Sequence, residues 1–140
     1  MNVGDVMTVD VEACRNTDLL INCASVMKNL NVGSVPIVDS DDNLVGIITD
    51  RDIAIRAVAA DTDLDMAVVS DFMTADPLSV EPEMSVEEAA NFMADNQIRR
   101  LPVTRNGKLL GIVSIGDLAV DIGEEELIGE TLGHISEPVR

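Results

Sequence analysis

The chain contains itself twice. Met7-Thr8 recurs 66 residues on as Met73-Thr74, and the same spacing carries Ala24 onto Ala90, Met27 onto Met93 and Pro36 onto Pro102. A residue is missing from the second copy's turn, so beyond it a spacing of 65 carries Gly46 onto Gly111 and Asp52 onto Asp117. Residues 1–60 and 67–122 are therefore two copies of one unit, with a polar linker at 61–66 and a C-terminal helix and tail at 123–140. A unit of about 60 residues has too little interior to be robust alone. The copies are expected to pack on each other with pseudo-two-fold symmetry.

Within each copy the apolar pattern changes period in the same order. Leu20, Cys23, Ala24 and Met27 follow the i, i+3, i+4, i+7 spacing of a buried helical face, predicting a helix over 18–30. Val86, Ala89, Ala90 and Met93 repeat it, and Ser85 with Glu88 supplies a capping box for that second helix. The first copy has no such box, which leaves Thr17 or Asp18 to cap. Two strands follow, 34–39 and 44–49, across the polar turn Ser40-Asp41-Asp42-Asn43. The second hairpin pairs 101–104 with 108–114 and turns at Arg105-Asn106-Gly107, where Asn-Gly is a strong turn signal. Helices are expected over 50–60 and 115–122, a short turn or helix at 2–7, an extended lead at 8–13, a further helix at 124–134 and a loose end at 136–140. The fold class is α+β, a tandem of β-α-β-β-α units.

The junction Gly46-Ile47-Ile48-Thr49-Asp50-Arg51-Asp52-Ile53 reads as strand, corner, helix start, and Gly111-Ile112-Val113-Ser114-Ile115-Gly116-Asp117-Leu118 repeats it. A hydroxyl followed three residues later by an acid is what a capping box needs, and that alone accounts for the pair. The same groups also suit a ligand. A helix N-terminus presents free N–H groups that favour an anion, and an ionised carboxylate accepts hydrogen bonds from two vicinal hydroxyls. Hydroxyl plus acid at this spacing fits a ribose 5′-phosphate.

The repeated Met-Thr opening, the strands VGSVPIVD and IRRLPVTR, and the corners GIITDRDI and GIVSIGDL together resemble the CBS domain. The pair resembles a CBS tandem, or Bateman module, over nearly the whole chain, and in particular the small proteins made of this module alone. The resemblance implies adenosine nucleotides such as AMP, ADP or ATP bound in clefts between the copies, with no cofactor required. Carried over residue by residue, Thr49 and Asp52 would hold ribose and phosphate in one cleft, with Ser34 and Val35 near the base. Ser114 and Asp117 would do so in the other, with Arg100 and Leu101 near the base. It also implies a homodimer stacked as a disc.

Charge bears on this reading. The chain has 26 acidic against nine basic residues, a net charge of −17, and its only lysines are Lys28 and Lys108. That excludes general binding to nucleic acid or to an anionic membrane surface, which need a positive face. It suits a salt-rich cytoplasm, where screening shortens to ~3 Å at 1 M salt, and a halophilic source is the expectation. The arginines cluster: Arg51, Arg56, Arg99, Arg100 and Arg105 lie beside the corners. Arginine offers phosphate a bidentate contact; otherwise these side chains simply pair with surface acids. The corners also differ, since Asp50-Arg51 in the first stands where Ile115-Gly116 stands in the second, so they should bind unequally.

Cys14 and Cys23 fall opposite Val80 and Ala89, both apolar sites, so they are expected in the core as small hydrophobes. A disulfide between them would be unusual in a reducing cytosol. A metal site lacks ligands, the one histidine being His134 in the tail. No apolar run approaches the ~18 residues of a membrane span, and the N-terminus lacks the features of a secretion signal, so a cytoplasmic protein is expected. Nothing pairs a nucleophile with a base, which argues against an enzyme. The leading expectation is a regulatory module that senses an adenosine nucleotide and is read by a protein partner. The alternative is a nucleotide-free module for protein–protein assembly, in which the corners are caps.

Overall fold

A computed structural model describes residues 1–122, and over them the change of period becomes a change of element. The first copy supplies β1 (Cys14–Arg15), α2 (Leu20–Leu30), β2 (Ser34–Val38), β3 (Leu44–Thr49) and α3 (Asp50–Asp52), preceded by a short α1 (Val3–Val6). The second supplies β4 (Thr74–Ala75), α4 (Val86–Asn96), β5 (Arg100–Arg105), β6 (Lys108–Ser114) and α5 (Ile115–Ile122). The helix and tail expected beyond residue 122 lie outside the described residues.

The apolar stripes are buried as their spacing requires. Leu20, Cys23 and Met27 of α2, and Val86, Ala89, Ala90 and Met93 of α4, sit in two separate aliphatic cores, while Ala24 is half-buried. Both helices run 11 residues and close on a left-handed residue, Asn31 at φ 55° and Gln97 at φ 54°. The following amides, Val32 and Ile98, donate back to Met27 and Met93, which satisfies orphan carbonyls at the helix end.

Two helix expectations are corrected. Neither Thr17 nor Asp18 caps α2: its N-cap is Leu19, which offers no side-chain bond. A backbone bridge from Leu19 to Val68 does the work, and the Leu20 N–H donates to the Ala67 carbonyl at 2.8 Å. Asp18 instead accepts from the Arg15 N–H. In α4 the Ser85 hydroxyl does accept from the Glu88 N–H. The helix expected over 50–60 is regular only at its start, since Ile53–Val58 widens into a π-helical turn. There Ala57 is fully buried, and Arg56 Nη1 is tethered to the Phe72 carbonyl at 3.0 Å.

The described residues form two compact units, one of Glu12–Pro77 and one of Met1–Val11 with residues 78–122. These packing units do not follow the repeats of the sequence. In the first, β1 pairs parallel with β2, and β3 pairs antiparallel with β2 and β4, giving the order β1-β2-β3-β4. The edge strand β4 carries Thr74, from the second copy's opening. In the second unit β5 and β6 form the same hairpin, turning at Asn106-Gly107, both at positive φ. Its flanking strands shrink to the single bridges Val80 to Val103 and Thr8 to Ile112. Thr8 comes from the first copy's opening, so each copy's Met-Thr segment completes the other copy's sheet.

That exchange explains two glycines. A Cβ on Gly46 would lie within 3.0 Å of the Thr74 carbonyl and against the Met73 side chain, and one on Gly111 would lie 2.5 Å from the Thr8 carbonyl. Only a residue without a side chain lets the incoming Met-Thr segment lie this close.

Candidate functional site

The two strand-to-helix corners form as the spacing predicts, one in each unit. β3 ends at Thr49, whose hydroxyl accepts from the Asp52 N–H at 3.0 Å while Asp52 Oδ2 accepts from the Thr49 N–H at 3.0 Å. β6 ends at Ser114, with the reciprocal bonds to Asp117 at 3.2 and 2.9 Å. Both corners are complete capping boxes. Among the described residues each leaves chemistry unspent: Asp52 and Asp117 retain Oδ1 as an acceptor, and each hydroxyl keeps its own proton to donate. Thr49, Asp52, Ser114 and Asp117 are all half-buried, within reach of a solute.

Strand register fixes what lies beside each corner. Ser34 is directly opposite Thr49, and Arg100 directly opposite Ser114. Directly opposed residues share a sheet face with Cβ atoms about 5 Å apart, so Arg100 and Ser114 occupy neighbouring positions on one face. Val35 and Leu101, one step along, are buried in the two cores, at 1% and 0% exposure. Only their backbone is left for a ligand, and it already belongs to the β2 and β5 ladders. Arg99 precedes β5 and its carbonyl accepts from the Ile115 N–H at 2.9 Å; Gly33 does the same for Asp50.

The five arginines near the corners, all exposed, divide into two groups. Arg105 pairs with Glu83, and Arg56 is tied to the Phe72 carbonyl, so both serve local structure. The side chains of Arg51, Arg99 and Arg100 make no hydrogen bond or ion pair among the described residues and stay exposed at the corners.

One participant escapes the motif. Asp50, the first residue after Thr49, turns its carboxylate back on its own corner. Oδ1 accepts from the Arg51 N–H at 2.8 Å, and Oδ2 lies 3.2 Å from where a Cβ of Gly33 would stand. In the second corner Ile115 holds that position, and beside Gly116 a Cβ would meet only the Ser114 hydroxyl, at 3.7 Å. The signal available in the sequence was the pairing of Gly33 with Arg99 and of Asp50 with Ile115.

Cys14 and Cys23 are buried free thiols in one core. A hydrogen bond between them holds the Cys14 thiol below its ordinary range and pushes that of Cys23 far above it, with burial and Asp18 raising both. Among the described residues no three His, Cys, Asp or Glu side chains are grouped to hold a metal, and no helix is long and apolar enough to cross a membrane.

Two α+β units built on one duplicated plan, each with a hydroxyl–carboxylate corner, define a tandem-repeat module. The CBS domain pattern matches residues 3–66 and 69–124, and the chain belongs to the CBS domain family. It is similar to the uncharacterised protein YlbB of Bacillus subtilis, 43% identical over 136 residues, which are 96% of this chain and 91% of YlbB. It is also similar to hypoxic response protein 1 of Mycobacterium tuberculosis, at 32% identity. A crystal structure of the hypoxic response protein I, which holds two coordinated zinc ions, superposes with a TM-score of 0.79 over 86% of this chain and 98% of that one. CBSX2 from Arabidopsis thaliana, a CBS-pair protein, has been solved in complex with AMP. That complex is 27% identical and superposes with a TM-score of 0.75 over 89% of this chain and 98% of its own.

Proposed function

We propose that this CBS pair is a regulatory module that binds an adenosine nucleotide at its strand-to-helix corners and passes the bound state to a protein partner. The observation that carries this reading is the duplicated corner itself, in which, among the described residues, a carboxylate oxygen and a hydroxyl proton remain free beside arginines that make no ion pair. The AMP complex of CBSX2 supports the ligand class. Ribose hydroxyls would donate to Asp52 or Asp117, and phosphate would take the Thr49 or Ser114 hydroxyl with Arg51, Arg99 or Arg100. Ser34 and the backbone of Val35 and Leu101 would border the base. The module carries out no chemistry of its own, works in the cytoplasm, and pairs with a second copy.

Calorimetry with AMP, ADP and ATP at high KCl tests this. Asp52→Asn combined with Asp117→Asn is the informative variant, because asparagine keeps a capping oxygen but presents a donor where the ribose needs an acceptor. Binding to the parent chain and its loss in a folded double variant is expected; unchanged affinity in that variant removes the site.

A second reading has an observation of its own. Both corners are already satisfied as capping boxes, so a nucleotide-free assembly module would need no further use for them. Native mass spectrometry of untreated protein separates the two, since a retained mononucleotide mass supports the first and a ligand-free oligomer the second.

A further inference from the structure

The two corners share a plan but carry opposite local charge. The first sets Asp50 and Asp52 against Arg51; the second sets Asp117 against Arg99 and Arg100. Position matters more than the tally. The amide one residue into a helix is among the free donors that an incoming anion uses. In the first corner that amide belongs to Arg51, and Asp50 Oδ1 already accepts from it at 2.8 Å. The carboxylate reaches it because Gly33, without a side chain, lets Oδ2 settle over the start of β2. In the second corner the same amide belongs to Gly116. Ile115 offers no carboxylate, and a Cβ on Gly116 would meet only the Ser114 hydroxyl, at 3.7 Å. Arg100, opposite Ser114 in the ladder, adds a cation on that face where the first corner has Ser34.

We propose that Asp50 fills the anion position of the first corner with the chain's own carboxylate, so that a phosphate-bearing ligand binds at the Ser114 corner first. This rests on the nucleotide reading and adds to it an order of occupancy and the residue that sets it. Asp50 is a specificity-determining residue: it disfavours anions at the Thr49 corner by charge and by occupying their donor. The more phosphate charge a ligand carries, the more strongly the first corner disfavours it, so ATP should show a larger difference between the corners than AMP.

Calorimetry with AMP and with ATP on the whole chain tests the order, at about 0.1 M KCl, where the screening length of ~10 Å leaves a charge at this range effective. The parent should bind its first equivalent at a site lost in Asp117→Asn and kept in Asp52→Asn. Asp50→Asn, which keeps size and an accepting oxygen but no charge, should tighten the second equivalent roughly fivefold, the order expected from removing one like charge about 4 Å away at a solvated surface. Arg100→Ser, which copies the first corner, should weaken the first equivalent. Asp50→Ile, the residue of the second corner, gives a second route to the same gain, with a melting curve to show that each variant is folded. If the first equivalent is instead lost in Asp52→Asn and kept in Asp117→Asn, or if both Asp50 variants leave the second equivalent unchanged, the order is wrong while the nucleotide reading stands. If no folded variant binds either nucleotide, the nucleotide reading fails and the order falls with it.

Discussion

At the scale of single residues, the duplication is a control that the chain carries within itself. Cys14 and Cys23 invite a redox or metal role by residue type, yet their counterparts are Val80 and Ala89, and all four are buried in equivalent places. The thiols act as small hydrophobes. Cys14→Val with Cys23→Ala should therefore cost no more than about 1.5 kcal/mol of stability, the range of volume-conserving core exchanges, measured by urea unfolding. A loss well beyond that would mean that the contact between the two thiols contributes more than packing. The same comparison isolates Asp50, whose carboxylate has no equivalent at Ile115.

At the scale of elements, periodicity makes most of the fold legible in the sequence. The helical faces of α2 and α4, the bounds of β3 and β6, and the Asn-Gly turn follow from spacing and turn chemistry within short windows. The polar pair at each corner was legible for the same reason, since a capping box is a local pattern. Interactions that join distant stretches were not. The start of α2 is fixed by Val68 and Ala67, which no local rule connects to Leu19, so Thr17 and Asp18 looked like the natural caps. The direction of the Asp50 carboxylate is a rotamer choice, and the π turn at Ile53–Val58 has no signature in the local apolar spacing. Nor could the repeat reveal which copy would receive each Met-Thr segment. That last contact makes a sharp prediction. Gly111→Ala places a methyl 2.5 Å from the Thr8 backbone oxygen, and overpacking of this kind typically costs 1–3 kcal/mol. Thermal unfolding should show a lowered midpoint, whereas Gly116→Ala, which meets only the Ser114 hydroxyl at 3.7 Å, should lose no more than a small fraction of that. Equal effects at the two glycines would argue against the close approach.

At the scale of the whole molecule, charge dominates. With 26 acidic and nine basic residues, like charges repel across the surface, and added salt relieves this as the screening length falls from ~10 Å at 0.1 M to ~3 Å at 1 M. The melting temperature should therefore climb as KCl is raised over that range, followed by circular dichroism; a flat response would show that the acids are compensated locally. The exchanged edge segments carry a different consequence. Deleting either half would strip a border strand from the survivor, so neither half can be discarded once the gene has doubled. Held together by that mutual dependence, the two corners were free to drift apart in sequence, and a duplicated module could become one with two unlike seats.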